Sequence, residues 1–234
     1  MTVRAPRPPS AGTRWVLAGA AAALLLAAAA AWAGLTTAEP PPAVRLEGIG
    51  VGALSPYTAT VGADRPGTVP PAGVGGHRTG DDPALYARAG AEPACDVAAL
   101  AAALAADPAR QRAWSGALGL PGPTGLVPVL LRADLAAEEH GFVDGADVDA
   151  PVILQAGTAV LVDARGEPRV RCSGGGPLTA GEPPQPTGGV DGRPWPFYQP
   201  VDVVAVAPAA TPLPALSVLD LTAGNPVTVA VPPA

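Results

Sequence analysis

The chain contains no lysine, two histidines, two cysteines and one methionine, and aromatic residues make up only 4% of its 234 positions. Each shortage narrows the field. All 14 basic charges sit on arginine against 20 carboxylates, a net charge of −6, which argues against a nucleic-acid or anionic-lipid partner that would need a basic patch. No C-x-x-C pair occurs, and two histidines do not complete a zinc site. A G-x-S-x-G nucleophile elbow is missing, and Gly174-Gly175-Gly176 lacks the Lys-Ser/Thr ending and following helix of a phosphate loop. Nothing in the sequence asks for a cofactor. With 29 glycines and 31 prolines beside so few aromatics, the core is expected to be modest and loop-rich.

Residues 15–35 (WVLAGAAAALLLAAAAAWAGL) hold no charge. At about 1.5 Å per residue, such a run is long enough to cross a bilayer as a helix. Arg4, Arg7 and Arg14 precede it without an acidic residue, which keeps that end in the cytoplasm and places residues 36–234 outside. Trp15 and Trp32 lie near the ends of the run, where indoles favour membrane interfaces. Its composition, eleven alanines and five leucines, makes a weak anchor. Ala31-Trp32-Ala33 also offers the small-x-small pattern of a signal peptidase, so secretion after cleavage behind Ala33 stands beside single-pass anchoring in the cell membrane. Residues 1–14 are then a short basic tail, and 36–43 (TTAEPPPA) a proline-stiffened tether. All 20 acidic residues and 11 of the 14 arginines follow residue 38, giving the exported part a net charge of −9.

Residues 44–234 form the exported domain, with residues 95–172 its best-defined part. Cys95 and Cys172 both lie in it. An even pair in an oxidising compartment is most simply a disulfide; free thiols or a metal or redox role are the alternatives. Residues 44–61 have room for one or two short strands, whereas 62–83, dominated by Gly and Pro, read as a mobile loop. Val97, Leu100 and Leu104 share one helical face behind Asp96. Asp107-Pro108 starts a second helix that runs to about Leu118, presents Trp114 and stops at Gly119. Short apolar runs at 126–133, 152–155, 158–162, 168–172, 201–207, 215–221 and 227–231 predict strands, with 158–162 and 168–172 a hairpin across the DARGE turn. The predicted fold is α+β: a small, mostly antiparallel sheet with a helical pair, preceded by a single N-terminal transmembrane helix.

Three groups of residues invite chemistry. Residues 138–149 (EEHGFVDGADVD) gather five carboxylates and His140 in what reads as an acidic loop between strands. His140, Asp144, Asp147 and Asp149 are the candidate ligands of a hard cation there, although the spacing is not that of an EF-hand. His140 with Asp144 as its orienting acid and Ser173 as nucleophile would be the parts of a hydrolase. Residues 193–200 (RPWPFYQP) form the densest aromatic run; Trp195, Phe197 and Tyr198 are either the filling of a thin core or, if exposed, an anchoring patch for a partner protein or glycan.

The run CDVAALAAALAADPARQRAW, then LVPVLLRAD, HGFVDG, ILQAGTAVLVDARGEPRVRC and WPFYQPVDVV, resembles a family of actinobacterial exported or membrane-anchored proteins known only as a domain of unknown function. The resemblance implies a signal or single membrane helix and a low-complexity linker before the domain, and attaches no activity to it. Glu139 stands where the family pattern has asparagine before His140-Gly141-Phe142, and Ser173-Gly174-Gly175-Gly176 replaces a cysteine-containing turn. The sequence therefore points to a non-enzymatic, membrane-tethered, extracytoplasmic module that binds an envelope protein or wall polymer. The alternative is an exported hydrolase or metal-dependent enzyme centred on His140.

Overall fold

Runs rich in valine and leucine, each cut off by glycine or proline, fit a pleated and half-buried surface better than a helix, and they dominate this chain. A computed structural model describes residues 43–53, 55–184 and 189–232. In chain order the strands are β1 (Val44–Glu47), β2 (Gly76–Thr79), β3 (Tyr86–Arg88), β4 (Val127–Leu131), β5 (Leu135–Val143), β6 (Ala146–Leu154), β7 (Ala159–Val162), β8 (Pro168–Arg171), β9 (Leu178–Ala180), β10 (Val190–Asp191), β11 (Val204–Ala207), β12 (Ala215–Asp220) and β13 (Asn225–Ala230). They form two sheets. The first has the order β10-β1-β6-β5-β11-β2, with β9 also paired to β5, and the second β13-β12-β3-β4-β7-β8.

This corrects the expected α+β fold with one small, mostly antiparallel sheet. The domain is mostly β, and its sheets are mixed: β1 runs parallel to β6 and β10, β11 parallel to β2 and β5, and β12 parallel to β3. Parallel neighbours come from segments far apart in the chain, such as 45–47 beside 152–154, and such pairing leaves no local mark. The Gly/Pro-rich stretch 62–83 supplies β2, whose register with β11 runs from Gly76↔Val204 to Thr79↔Ala207. The predicted membrane or signal segment 15–35, with the basic tail and all but the last residue of the tether, lies outside the described residues. Among the described residues no helix is long and apolar enough to cross a membrane.

The helical pair lies where its residues place it. Helix α1 (Val97–Ala105) is capped by Asp96, whose carboxylate accepts the Ala99 N–H at 2.9 Å. Asp107 caps α2 (Pro108–Leu118) by accepting from Ala109 and Arg110, and Pro108 fills the first helical position, where its missing N–H costs nothing. Gly119 ends α2 in the left-handed conformation at φ 67°.

Apolar side chains sort into layers. Between the sheets lie Tyr86, Val129, Leu131, Leu135, Val152, Leu154, Val160 and Leu216. On the far side of the second sheet, Leu130, Leu161 and Val170 pack against Leu100 and Leu104 of α1 and Trp114 and Leu118 of α2. The Cys95–Cys172 disulfide, with Cα atoms 5.9 Å apart, joins the residue before the α1 cap to the end of β8. Helices and sheet are thereby stapled across 77 residues of sequence. A smaller cluster, Leu46, Ala136, Ile153 and Val203, covers part of the outer face of the first sheet and receives Trp195 and Tyr198.

Candidate functional site

The acidic segment is not a loop. Strands β5 and β6 pair from Leu135↔Leu154 to Val143↔Ala146 and turn through Asp144-Gly145, whose φ values of 50° and 85° fit the two-residue turn that Asp-Gly favours. Strand alternation then divides the charges. Glu138, His140, Asp147 and Asp149 share one face, Glu139 points to the other, and Asp144 sits at the exposed tip, roughly 13 Å along the strand from His140 at about 3.3 Å per residue. Among the described residues no three His, Cys, Asp or Glu side chains converge as a metal site requires.

His140 joins Asp147 and Thr179, not Asp144 and Ser173. Its Nδ1 lies 2.8 Å from Asp147 Oδ2, and because a carboxylate only accepts, Nδ1 is the donor. Nε2 lies 3.0 Å from Thr179 Oγ1 on β9, and the buried Tyr57 hydroxyl donates to the other Asp147 oxygen. Burial, then the bond to Asp147, raises the Tyr57 pKa and keeps the phenol protonated. Hydroxyl, imidazole and carboxylate thus stand in the order of a base-activated nucleophile. The cavity of about 10 Å³ beside Thr179 is lined by Leu135, Ala137, Glu167 and Val206 and includes neither His140 nor Asp147. The chain Tyr57–Asp147–His140–Thr179 acts as a clamp joining β5, β6, β9 and the segment before β2.

Glu139, on the opposite face, enters a buried ion network. Arg171, at the end of β8, donates to Glu47 on β1, to Glu139 at 3.0 Å and to the Val51 carbonyl at 2.7 Å; Arg45 reaches the same two carboxylates. Burial raises the Glu139 pKa even though Arg171 pulls it down. Two arginines against two glutamates leave the cluster neutral, which makes burial of these charges tolerable. Charged residues alternating with apolar ones in VRLE and PRVR are the only trace of it in the sequence.

The aromatic run divides. Trp195 Nε1–H donates to Asp134 Oδ2 at 3.1 Å, while Asp134 Oδ1 accepts the Ala156 N–H at 2.7 Å. Tyr198 meets Trp195 edge-on at 5.2 Å, and both rest on the Leu46–Ile153–Val203 cluster. Phe197, between them, is 69% exposed at φ 72°. A bulky residue held in the left-handed region costs on the order of 1–3 kcal/mol, and such strain persists only where surrounding structure imposes it. Val201, 77% exposed, lies four residues on. Adjoining Phe197 through Pro196, a groove of about 600 Å³ is lined by Leu46, Ile49, Val51, Gln155, Arg193 and Trp195 and walled by Pro194 and Pro196. Gln155 shapes its floor by accepting the Ile49 N–H at 2.8 Å.

Among the other described aromatic residues, Tyr57, Tyr86 and Trp114 are buried and Phe142 is partly buried. Proline on both sides of Trp195 was the available sign that this run bends out of the sheet rather than filling it.

A family model described as a domain of unknown function (DUF6777) matches residues 77–231. No curated protein and no solved structure matches the chain.

Proposed function

The chain belongs to the DUF6777 family, a domain of unknown function, and on that premise we propose that it is a non-enzymatic, extracytoplasmic module that binds a protein partner through the face formed by Phe197, Val201 and the Trp195 groove. Residues 15–35 export it and either tether it to the cell membrane or are removed behind Ala33, as the actinobacterial exported proteins it resembles imply. The observation that carries the reading is Phe197, a large apolar ring presented to solvent from a strained backbone. Its neighbours are fixed: Asp134 pins Trp195, and Trp195 supports Tyr198. A rigid aromatic anchor beside a preformed groove is what binding hot spots are built from.

A protein fits this surface better than a wall polymer. Leu46, Ile49, Val51 and two prolines offer little to pair with sugar hydroxyls, whereas an apolar side chain gains by leaving water there. Arg193 at the rim suits an acidic residue of the partner.

The test is a photo-crosslinking amino acid at position 197 of the full chain in intact cells, with Val69, another exposed apolar residue, as the control position. One discrete protein adduct at 197, absent at 69 and lost on Arg193→Glu, is the expected result. Adducts to glycan, or the same adducts at both positions, would reject the proposal.

A further inference from the structure

Among the described residues five strands pair on one side only, and three of them carry charge: β2 has His77 and Arg78, β8 has Arg169 and Arg171, and β10 has Asp191. Charge on an edge blunts pairing with another chain. The other two, β9 (LTA) and β13, carry none, and β13 is the longer, six residues against three. From Leu221 to Pro232 no residue is charged, in a chain of net charge −6.

The pairing of β13 with β12 fixes which groups are free. Val231 N–H donates to the Pro214 carbonyl, so the hydrogen-bonded pairs continue at Leu216↔Val229 and Val218↔Val227. The N–H and C=O of Thr228 and Ala230 therefore point away from the sheet. Pro226 and Pro232 bracket this window, and at both ends the position that would face a neighbour lacks a donor. On the inner face Val227 and Val229 join the core between the sheets yet stay partly exposed.

We propose that β13 pairs antiparallel with β13 of a second copy, in the register that sets Thr228 opposite Ala230 and Val229 opposite Val229. In that register both free N–H groups and both free carbonyls of each copy find a partner, and the prolines fall outside the bonded window. Shifting by two residues sets a proline against a bonded position. The two-fold axis passes beside Val229, where the strands approach to about 4.5 Å between Cα atoms. Val227 of one copy meets Val231 of the other, so the inner core continues across the contact. An acidic chain loses nothing to like-charge repulsion at an uncharged edge.

The register makes the test specific. The native cysteines are paired and buried, so a new cysteine in the full chain is the only free thiol. Under mild oxidation Val229→Cys is expected to form a covalent dimer, whereas Thr228→Cys and Ala230→Cys are each expected to stay monomeric alone and to crosslink when mixed. Comparable dimer yields from all three singly, no dimer from Val229→Cys, or capture of a different protein at that position would overturn the proposal. Thr228→Pro removes an N–H that β12 does not use; it is expected to abolish the non-covalent dimer seen by sedimentation while leaving the circular dichroism spectrum unchanged.

Discussion

Asp134 shows how one buried carboxylate arranges a surface. Burial raises its pKa above the ordinary 3.8, although the bonds from Ala156 and Trp195 pull the other way. The folded chain therefore takes up this proton at higher pH than the unfolded chain does. Stability withheld by the ionised group is regained as pH falls through the folded pKa toward 3.8. Asp134→Asn abolishes that window and turns a donor toward the Trp195 N–H, at a cost of about 1 kcal/mol near neutrality. The melting temperature of the wild type should gain on that of Asp134→Asn as the pH is lowered through the window; parallel profiles would contradict the burial argument. His140 allows a second residue-scale prediction. As a clamp, it should lose about 1–3 kcal/mol on substitution by alanine, because Asp147 Oδ2 and the Thr179 hydroxyl lose their imidazole partner. Chemical denaturation reads that loss, and crosslinking at position 197 should persist in the same variant. Unchanged stability would point back to chemistry at His140.

At the scale of elements, the two helices were legible because each carries its own start and stop: Asp96 and Asp107 bond their first turns, and Gly119 ends the second. The β7–β8 hairpin was equally local. The β5–β6 hairpin carried an equally clear sign in Asp144-Gly145, but its density of carboxylates resembled a solvated loop. Alternation reconciles the two, since one strand can send Glu139 inward and His140 outward. Glycines in the turn after β8 follow the packing: a Cβ on Gly176 would stand 2.7 Å from the His140 carbonyl oxygen, so a substitution there strikes backbone. The disulfide joins these elements. Its removal by Cys95→Ser with Cys172→Ser should cost about 2–5 kcal/mol, measured by thermal or denaturant unfolding. Alkylation of the native chain without reduction should label neither cysteine.

At the scale of the whole molecule, the proposal that the domain is exported rests on the uncharged run 15–35 behind three arginines, and a disulfide is suited to an oxidising compartment. Fractionation of intact cells with external protease should digest the domain while sparing cytoplasmic markers; protection of the domain would contradict export.

By itself the sequence determined what neighbours in the chain decide: the caps and faces of α1 and α2, the strand character of most apolar runs, and the availability of two cysteines for one bond. These depend on backbone propensity and on side chains three or four positions apart, which a linear reading contains. Tertiary structure alone decided the rest. The mixed sheets, the Arg171 network, the union of His140 with Thr179 and Tyr57, and the division of the aromatic run into pinned Trp195 and presented Phe197 all join residues tens of positions apart. Such contacts form because packing two sheets and a helical layer together buries enough apolar surface to offset the entropy of closing long loops. Which partners meet is a property of that closure and not of any one segment.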